Sequence, residues 1–136
     1  MSAVYTTTVI NKGGRDGYSI VGEGQPKFDV VNVLDGKAQP EGTTNPEQLM
    51  AAAVASCYNG AFLYFMEEAG QKADVTVKVT LALVPDATDG ENKLACEIEV
   101  EAPELKAEDL AKFKQQAAEF SPYTKIFAGK ADLTIK

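Results

Sequence analysis

The strongest constraint on the fold of this chain is a long apolar segment without formal charge, residues 49–66 of the 136-residue sequence. Asn45 precedes the segment as a good helix N-cap, Pro46 suits the first helical position, and Gly70 supplies a stop at the far end. These signals predict one helix over residues 46–69, about 36 Å long at 1.5 Å per residue. The rest of the chain must fold around it.

The predicted helix is apolar on most of its faces, so protein or lipid must surround it. Its apolar run is near the lower length limit for crossing a bilayer. Ser56, Asn59 and Gly60 interrupt the run, and Glu47 and Glu67 lie close to its ends. This mixture favours a helix buried inside protein, and we expect no membrane partner.

Sequence periodicity predicts strands before and after the helix. Three β-rich stretches separated by glycine-bearing turns come first, and two alternating stretches form a hairpin after the helix. Apolar residues at helical spacing then predict a second helix that ends at Ser121-Pro122, followed by a last short strand. The predicted strands cover residues 4–10, 18–21, 28–33, 75–83, 94–100 and 131–135, and the second helix contains Leu110, Phe113, Ala117 and Phe120. This order predicts an α+β fold formed by a single domain, residues 1–136.

The composition excludes several classes of function. The chain contains no histidine, which excludes Ser-His-Asp and Cys-His hydrolases, histidine-rich zinc sites and a histidine general base. A formal net charge of −7 argues against a nucleic-acid partner, because phosphate binding needs a basic stripe. Two cysteines do not form a secreted disulfide scaffold or a four-cysteine zinc site. The sequence opens with no recognisable signal peptide, so we expect a cytoplasmic protein. The acidic residues lack the EF-hand spacing and no nucleotide-binding motif is present, so we expect no metal or cofactor.

Cys57, near the middle of the long helix, is the first candidate for chemistry. A free cysteine also serves as a small buried hydrophobe, and that structural interpretation of Cys57 stays open. With no histidine available, a reactive thiolate needs a lysine or arginine nearby. Arg15 is the one arginine of the chain, and it lies in a glycine-rich stretch, residues 13–17, that also suits an ordinary surface turn.

Two further residues have simple structural explanations. Glu47 suits the first turn of a helix, where a carboxylate complements the helix dipole. Cys96 shares a predicted strand face with apolar neighbours, Leu94 and Ile98, and is interpreted as an inert core residue.

Three segments carry a resemblance to the OsmC/Ohr family, closest to its organic hydroperoxide resistance branch. The glycine-rich turn GGRDG occupies residues 13–17, and NPEQLMAAAVASC occupies residues 45–57. The second segment is the more specific, because it joins the helix start to a cysteine at the family's interval. FSPY at residues 120–123 is similar to the family's second motif, in which a cysteine precedes the proline. The order of elements also matches, so the resemblance covers essentially the whole chain.

The resemblance implies that Cys57 attacks an organic hydroperoxide and becomes a sulfenic acid, in oxidative-stress defence. It also implies that Arg15 stabilises the thiolate and that Glu47 holds Arg15. We further expect an apolar substrate pocket that is lined partly by the long helix and partly by residues 120–127, including Tyr123. The family fold is an intertwined homodimer, with antiparallel sheets around long central helices and active sites at the interface. A second cysteine normally closes a disulfide, which a dithiol reductant then reopens.

Ser121 departs from that pattern, because it occupies the position of the second cysteine. A serine hydroxyl cannot form a disulfide with a sulfenic acid. Three alternatives follow: a one-cysteine peroxidase that uses an external thiol or dithiol, replacement of the missing cysteine by Cys96, or lost activity. We favour the one-cysteine peroxidase, and the alternative function is a degenerate protein that binds an apolar small molecule.

The spacing of Glu47 and Cys57 raises a geometric question. Ten positions separate them, which is about 15 Å along a helix axis, and they lie on different faces. One straight helix cannot bring both side chains to the same small site. We therefore expect Glu47 to approach a Cys57 site across the dimer interface, from an antiparallel partner helix.

Overall fold

The computed structural model describes residues 2–22 and 24–136. The chain clusters into two compact units, the first ending at Leu49 and the second beginning at Met50. A continuous helix, α1 (Pro46–Glu68), begins in the first unit and runs on into the second. The expectation of a single domain, residues 1–136, stays a prediction.

The first unit is built on a three-stranded antiparallel sheet in the order β1-β2-β3. The strands are β1 (Val9–Lys12), β2 (Gly17–Val21) and β3 (Lys27–Val30). All three lie where strands are predicted, with β2 within one residue of its predicted bounds and β1 and β3 further from theirs. The predicted first strand started too early, because residues 4–8 are exposed and form no strand.

The third strand is predicted to reach residue 33, but β3 ends at Val30. Two hydrogen bonds made by the residues that follow explain why the strand stops there. The Val31 amide donates to the carbonyl of Thr44 at 3.0 Å, which draws the chain away from β2. The side chain of Asn32 then accepts from the Leu34 amide at 3.0 Å and begins a short 3-10 helix (Val33–Asp35). A side chain that satisfies a backbone donor in this way competes with continuation of the ladder.

The bounds predicted for the long helix are confirmed to within one residue. The Gln48 amide donates to Oδ1 of Asn45 at 2.8 Å, so Asn45 is the N-cap. At the far end Gly70 adopts a φ of +73°, and the Gln71 amide donates to the carbonyl of Met66 at 3.1 Å. This is the hydrogen bond by which a left-handed glycine closes a helix.

One stripe of α1 is buried, consisting of Val54, Tyr58, Ala61, Phe62 and Met66. Their spacing follows the helical period, so they lie on one face. Within the part of the chain that the structure describes, α1 is the one helix whose length and composition would allow it to cross a membrane. The core helix of a soluble protein meets the same criteria.

The second unit continues from α1 into a hairpin and two helices. The hairpin strands are β4 (Thr76–Pro85) and β5 (Asn92–Glu101), and the helices are α2 (Ala107–Phe120) and α3 (Pro122–Phe127). The core of the unit lies between α1 and α2 and consists of Tyr58, Ala61, Phe62, Met66, Phe113 and Ala117. At its centre the rings of Phe62 and Phe113 meet edge to face, with centroids 5.8 Å apart.

The hairpin confirms the predicted alternation. Its register places Val79 opposite Ile98 and Leu81 opposite Cys96. These four residues are half-buried, whereas the alternate positions are exposed. The core packs against the end of this face that contains Val77 and Val100.

The last predicted strand is wrong. Residues 131–136 adopt no regular structure, and Leu133 and Ile135 are 84% and 86% exposed. Apolar alternation is suitable for a strand, but a strand also needs a neighbour for its backbone hydrogen bonds. Among the described residues none provides that neighbour.

Candidate active site

The turn that carries Arg15 is shaped by two glycines and one asparagine. Gly13 and Gly14 have φ values of +86° and +62°, in the left-handed region that favours glycine. Nδ2 of Asn11 donates to the carbonyl of Gly14 at 3.2 Å, and the Gly14 amide donates back to Oδ1 of Asn11 at 3.0 Å. The sequence GGR therefore sets a tight turn with a defined backbone.

The residues after Arg15 anchor the same turn. Oδ1 of Asp16 accepts from the Asn32 amide at 2.8 Å, and its Oδ2 accepts from Nζ of Lys37 at 3.1 Å. The amide of Asn32, and then Lys37, hold the pKa of Asp16 below its usual value. A Cβ at Gly17 would come within 1.9 Å of the carbonyl oxygen of Lys12, so glycine is required there.

Arg15 and Glu47 form an ion pair through Nη2 and Oε1. Their side chains are 30% and 20% exposed, so water screens the pair only in part. Nε of Arg15 and Oε2 of Glu47 are buried and find no hydrogen-bond partner among residues 2–22 and 24–136. The pair thus has one buried donor, Nε of Arg15, and one buried acceptor, Oε2 of Glu47, that could each form a hydrogen bond with a further group.

Cys57 and Ser121 form the second contact. Oγ of Ser121 donates to Sγ of Cys57 at 3.2 Å, across 64 positions of sequence. Ser121 is fully buried, and Cys57 is half-buried on α1. The end of α2 positions the serine, because the Ser121 amide donates to the carbonyl of Ala117 at 3.0 Å.

Cys96 is a free cysteine like Cys57, but its surroundings differ. It lies on β5 opposite Leu81, on the half-buried face of the hairpin. Burial raises the pKa of the Cys96 thiol above its usual value of 9.0. The thiol therefore stays protonated near neutral pH, and a protonated thiol is a poor nucleophile.

Tyr123 lies on α3, two positions after Ser121, and is 38% exposed. Nearby in sequence, Phe120 stacks on Tyr64 with centroids 5.7 Å apart and meets Phe65 edge to face at 5.2 Å. The rings of Tyr64 and Phe120 are about half-exposed. Aromatic surface of this kind can bind hydrocarbon.

The predicted site residues thus form two pairs, each described within its own unit. Arg15 with Glu47 belongs to the first unit, and Cys57 with Ser121 belongs to the second. The sequence indicated the position of Ser121 but not its hydrogen bond to the cysteine, because 64 residues of intervening chain had to be folded first. Within residues 2–22 and 24–136, no group of three or more cysteine, aspartate or glutamate side chains is placed to hold a metal ion.

Comparisons with known proteins agree on one family. The model of the family described as OsmC-like protein matches residues 36–136. Organic hydroperoxide resistance protein-like 2 of Staphylococcus epidermidis is 33% identical over 135 residues, which cover 98% of this chain and 95% of that protein. Organic hydroperoxide resistance protein OhrB of Bacillus subtilis is 31% identical over 134 residues, 98% of each chain.

Solved structures give the same result. The crystal structure of OhrB from Bacillus subtilis superimposes with a TM-score of 0.81 and covers 98% of both chains. An organic hydroperoxide resistance protein OsmC from Legionella pneumophila superimposes with a TM-score of 0.83 at 26% identity, covering 96% of this chain and 95% of that one. The α+β, OsmC-like fold expected from the sequence is confirmed by these similarities.

Proposed function

Because the chain belongs to the OsmC-like protein family, we propose that it is a thiol-dependent peroxidase that reduces organic hydroperoxides through Cys57. One observation carries the proposal. The two positions at which the family resemblance expects cysteines are in contact, with Oγ of Ser121 3.2 Å from Sγ of Cys57. The relatives named for organic hydroperoxide resistance support a role in hydroperoxide defence.

The proposed first step is attack of the Cys57 thiolate on the terminal oxygen of the hydroperoxide. A sulfur–oxygen bond forms as the oxygen–oxygen bond breaks, and the alkoxide leaves as an alcohol after it takes a proton. The sulfur loses two electrons and becomes a sulfenic acid. Cys57 is half-buried, so the residue keeps some exposed surface, which suits this step.

Turnover then needs an external thiol, because Ser121 has no sulfur to offer. A first thiol forms a mixed disulfide with Cys57 and releases water. A second thiol, or the second group of a dithiol, attacks the mixed disulfide and regenerates Cys57. Burial of Cys96 argues against its taking part, because a thiol with a raised pKa is slow in thiol chemistry.

Arg15 is proposed to stabilise the Cys57 thiolate, with Glu47 holding the guanidinium. The ion pair and the buried donor left on Nε of Arg15 support this role, because an anion is the natural acceptor for such a donor. The unbroken course of α1 over Pro46–Glu68 supports the expectation that Glu47 serves the Cys57 of a partner subunit. A straight helix separates its own two residues by about 15 Å.

A homodimer in the cytoplasm is the proposed form of the protein. Large apolar side chains are exposed at both ends of the chain, including Val4, Tyr5, Leu133 and Ile135. Exposed apolar side chains of this size are available for contact with a partner subunit. Light scattering coupled to size exclusion is expected to give twice the chain mass. A monomer would contradict the proposed homodimer and the proposal that Glu47 serves the Cys57 of a partner subunit.

The substrate's hydrocarbon part is proposed to contact Tyr123 and the aromatic surface beside it. We expect Phe120→Ala to raise KM for a bulky aromatic hydroperoxide several-fold while leaving the rate with hydrogen peroxide unchanged. Leu34→Ala provides a matched control, because Leu34 is equally exposed (59% against 53%) but belongs to the first unit. Equal KM values for Phe120→Ala and the control would exclude this surface.

The central experiment measures consumption of one equivalent of organic hydroperoxide by fully reduced protein, with mass spectrometry of the product. Wild type and Cys96→Ser are expected to consume the peroxide and to carry a sulfenic acid on Cys57. Cys57→Ser is expected to leave the peroxide intact. Multiple turnovers should then appear on addition of a monothiol or a dithiol. If wild type and Cys57→Ser are equally inert, the peroxidase proposal fails.

A second candidate function is binding of an apolar small molecule without catalysis. The serine at the position of the second cysteine favours it, as does the exposed aromatic surface of Tyr64 and Phe120. Titration with a fatty acid or an aromatic probe separates the two functions. Tight binding together with an inert Cys57 would support the binding protein and exclude the peroxidase.

A further inference from the structure

Ser121 occupies a position at which a serine normally has a structural task. It is the N-cap residue of α3, and Pro122 follows at the first helical position. A serine at an N-cap usually accepts a hydrogen bond from one of the first free amides of the helix. Here the side chain of Ser121 makes no capping hydrogen bond.

The hydroxyl is directed to sulfur instead. Oγ of Ser121 donates to Sγ of Cys57 at 3.2 Å, and the residue has no exposed surface. Thr124, in the first turn of α3, also directs its hydroxyl elsewhere, because its Oγ1 donates to the carbonyls of Ala118 and Ser121 at 2.6 and 2.9 Å. A fully buried hydroxyl without its usual partner, in contact with the one candidate nucleophile, indicates a role in chemistry.

We propose that Ser121 is a catalytic residue whose hydroxyl donates a hydrogen bond to the Cys57 thiolate and then to the sulfenate formed from it. The inference rests on the proposed function, in which Cys57 is the attacking thiol. A donor facing a sulfur stabilises the anion more than the thiol, because hydrogen bonds to charged acceptors are the stronger ones. Ser121 therefore stabilises the anionic sulfur of Cys57, which is a different role from the disulfide that a second cysteine would form.

The pH profile separates this role from a structural one. Loss of the hydrogen bond leaves less thiolate near neutral pH, but the remaining thiolate is more nucleophilic, with a Brønsted coefficient of about 0.4–0.5. We expect Ser121→Ala to consume peroxide about three- to tenfold more slowly than wild type near pH 6–7. At a pH high enough for both proteins to be fully thiolate, the variant should be as fast or faster. A general loss of structure would slow the reaction at every pH.

The experiment follows single-turnover peroxide consumption and iodoacetamide alkylation of Cys57 in the Cys96→Ser background over the same pH range. Ser56→Ala is the matched control, because Ser56 adjoins Cys57 but donates to the carbonyl of Ala52 at 2.8 Å. Unfolding by urea checks that each variant is folded. Parallel pH profiles for Ser121→Ala and Ser56→Ala, within about twofold of wild type, would overturn the role of Ser121.

Alkylation keeps the inference separate from the proposed function. Suppose that no protein consumes peroxide, but that Ser121→Ala is alkylated more slowly than wild type near neutral pH and as fast or faster at high pH. The peroxidase proposal then fails, and the hydrogen bond from Ser121 to the Cys57 thiolate stands. Ser121→Cys covers the case in which Ser121→Ala does not fold. Peroxide should convert it to a disulfide with Cys57, and persistence of a sulfenic acid instead would contradict the contact between the two positions.

Discussion

Nη2 of Arg15 donates to Oε1 of Glu47, which joins the one arginine of the chain to the first turn of α1 across 32 positions of sequence. The two residues come from motifs that look unremarkable separately, a glycine turn and a helix start. Their contact fixes where the guanidinium points. It also leaves Nε of Arg15 buried, without an acceptor in the part of the chain that the structure describes.

Arg15→Ala is expected to slow peroxide reduction by at least about tenfold, which corresponds to roughly 1.4 kcal/mol. The physical reason is loss of the positive charge proposed to stabilise the Cys57 thiolate. Stopped-flow peroxide consumption measures the effect, and Lys12→Ala is the control because it removes an exposed cation near the same turn. A rate for Arg15→Ala within about twofold of wild type would show that the arginine has another role.

Glu47→Gln is expected to lower the free energy of unfolding by about 1–2 kcal/mol. Hydrogen bonds to charged groups contribute about 1.5–3 kcal/mol, and partial exposure of this pair places it near the lower end. Urea denaturation measures the change, with the exposed Glu41→Gln as the matched control. The double variant with Arg15→Ala should be less destabilised than the sum of the single variants, and simple additivity would argue against a direct interaction.

Tyr58→Phe is expected to destabilise the second unit by about 1 kcal/mol. The Tyr58 hydroxyl donates to the carbonyl of Lys114 at 3.0 Å and so joins α1 to α2. Tyr64→Phe is the control, since its ring is half-exposed. An equal effect of the two substitutions on the unfolding midpoint would count against the hydrogen bond.

The same tyrosine predicts a pH dependence. Burial raises the pKa of Tyr58 above its usual value of 10.0. Because the folded state holds this proton more tightly, the stabilisation is present below about pH 10 and is lost as the pH rises through the folded value. Wild type should therefore lose stability more steeply than Tyr58→Phe above about pH 10, as measured by urea denaturation at a series of pH values. Parallel curves would contradict the raised pKa.

Cys96 is expected to react slowly with iodoacetamide in the folded protein near neutral pH. Burial raises the pKa of its thiol, so little thiolate is present. Mass spectrometry of the Cys57→Ser variant isolates this reaction, and the urea-unfolded protein gives the rate of an unprotected thiol. Labelling of Cys96 at the unfolded rate would reopen the possibility that it acts as the second thiol.

Much of the fold could be predicted because the signals are local. Asn45 and Gly70 satisfy the helix ends with atoms only a few positions away, so the bounds of α1 follow from the residues themselves. The alternation that pairs Val79 with Ile98 is equally local to one hairpin. The predicted strand over residues 131–135 failed because alternation describes a suitable face but does not supply a neighbouring strand.

The sequence by itself determined the long helix, the hairpin, the absence of histidine chemistry and the family resemblance. These depend on residue types and short spacings, which need no knowledge of distant contacts. Only the tertiary structure decided that Arg15 pairs with Glu47 and that the Ser121 hydroxyl faces Cys57 rather than capping α3. A hydrogen bond across 64 positions depends on how helices pack, because the direction of a side chain is fixed by all of its neighbours together.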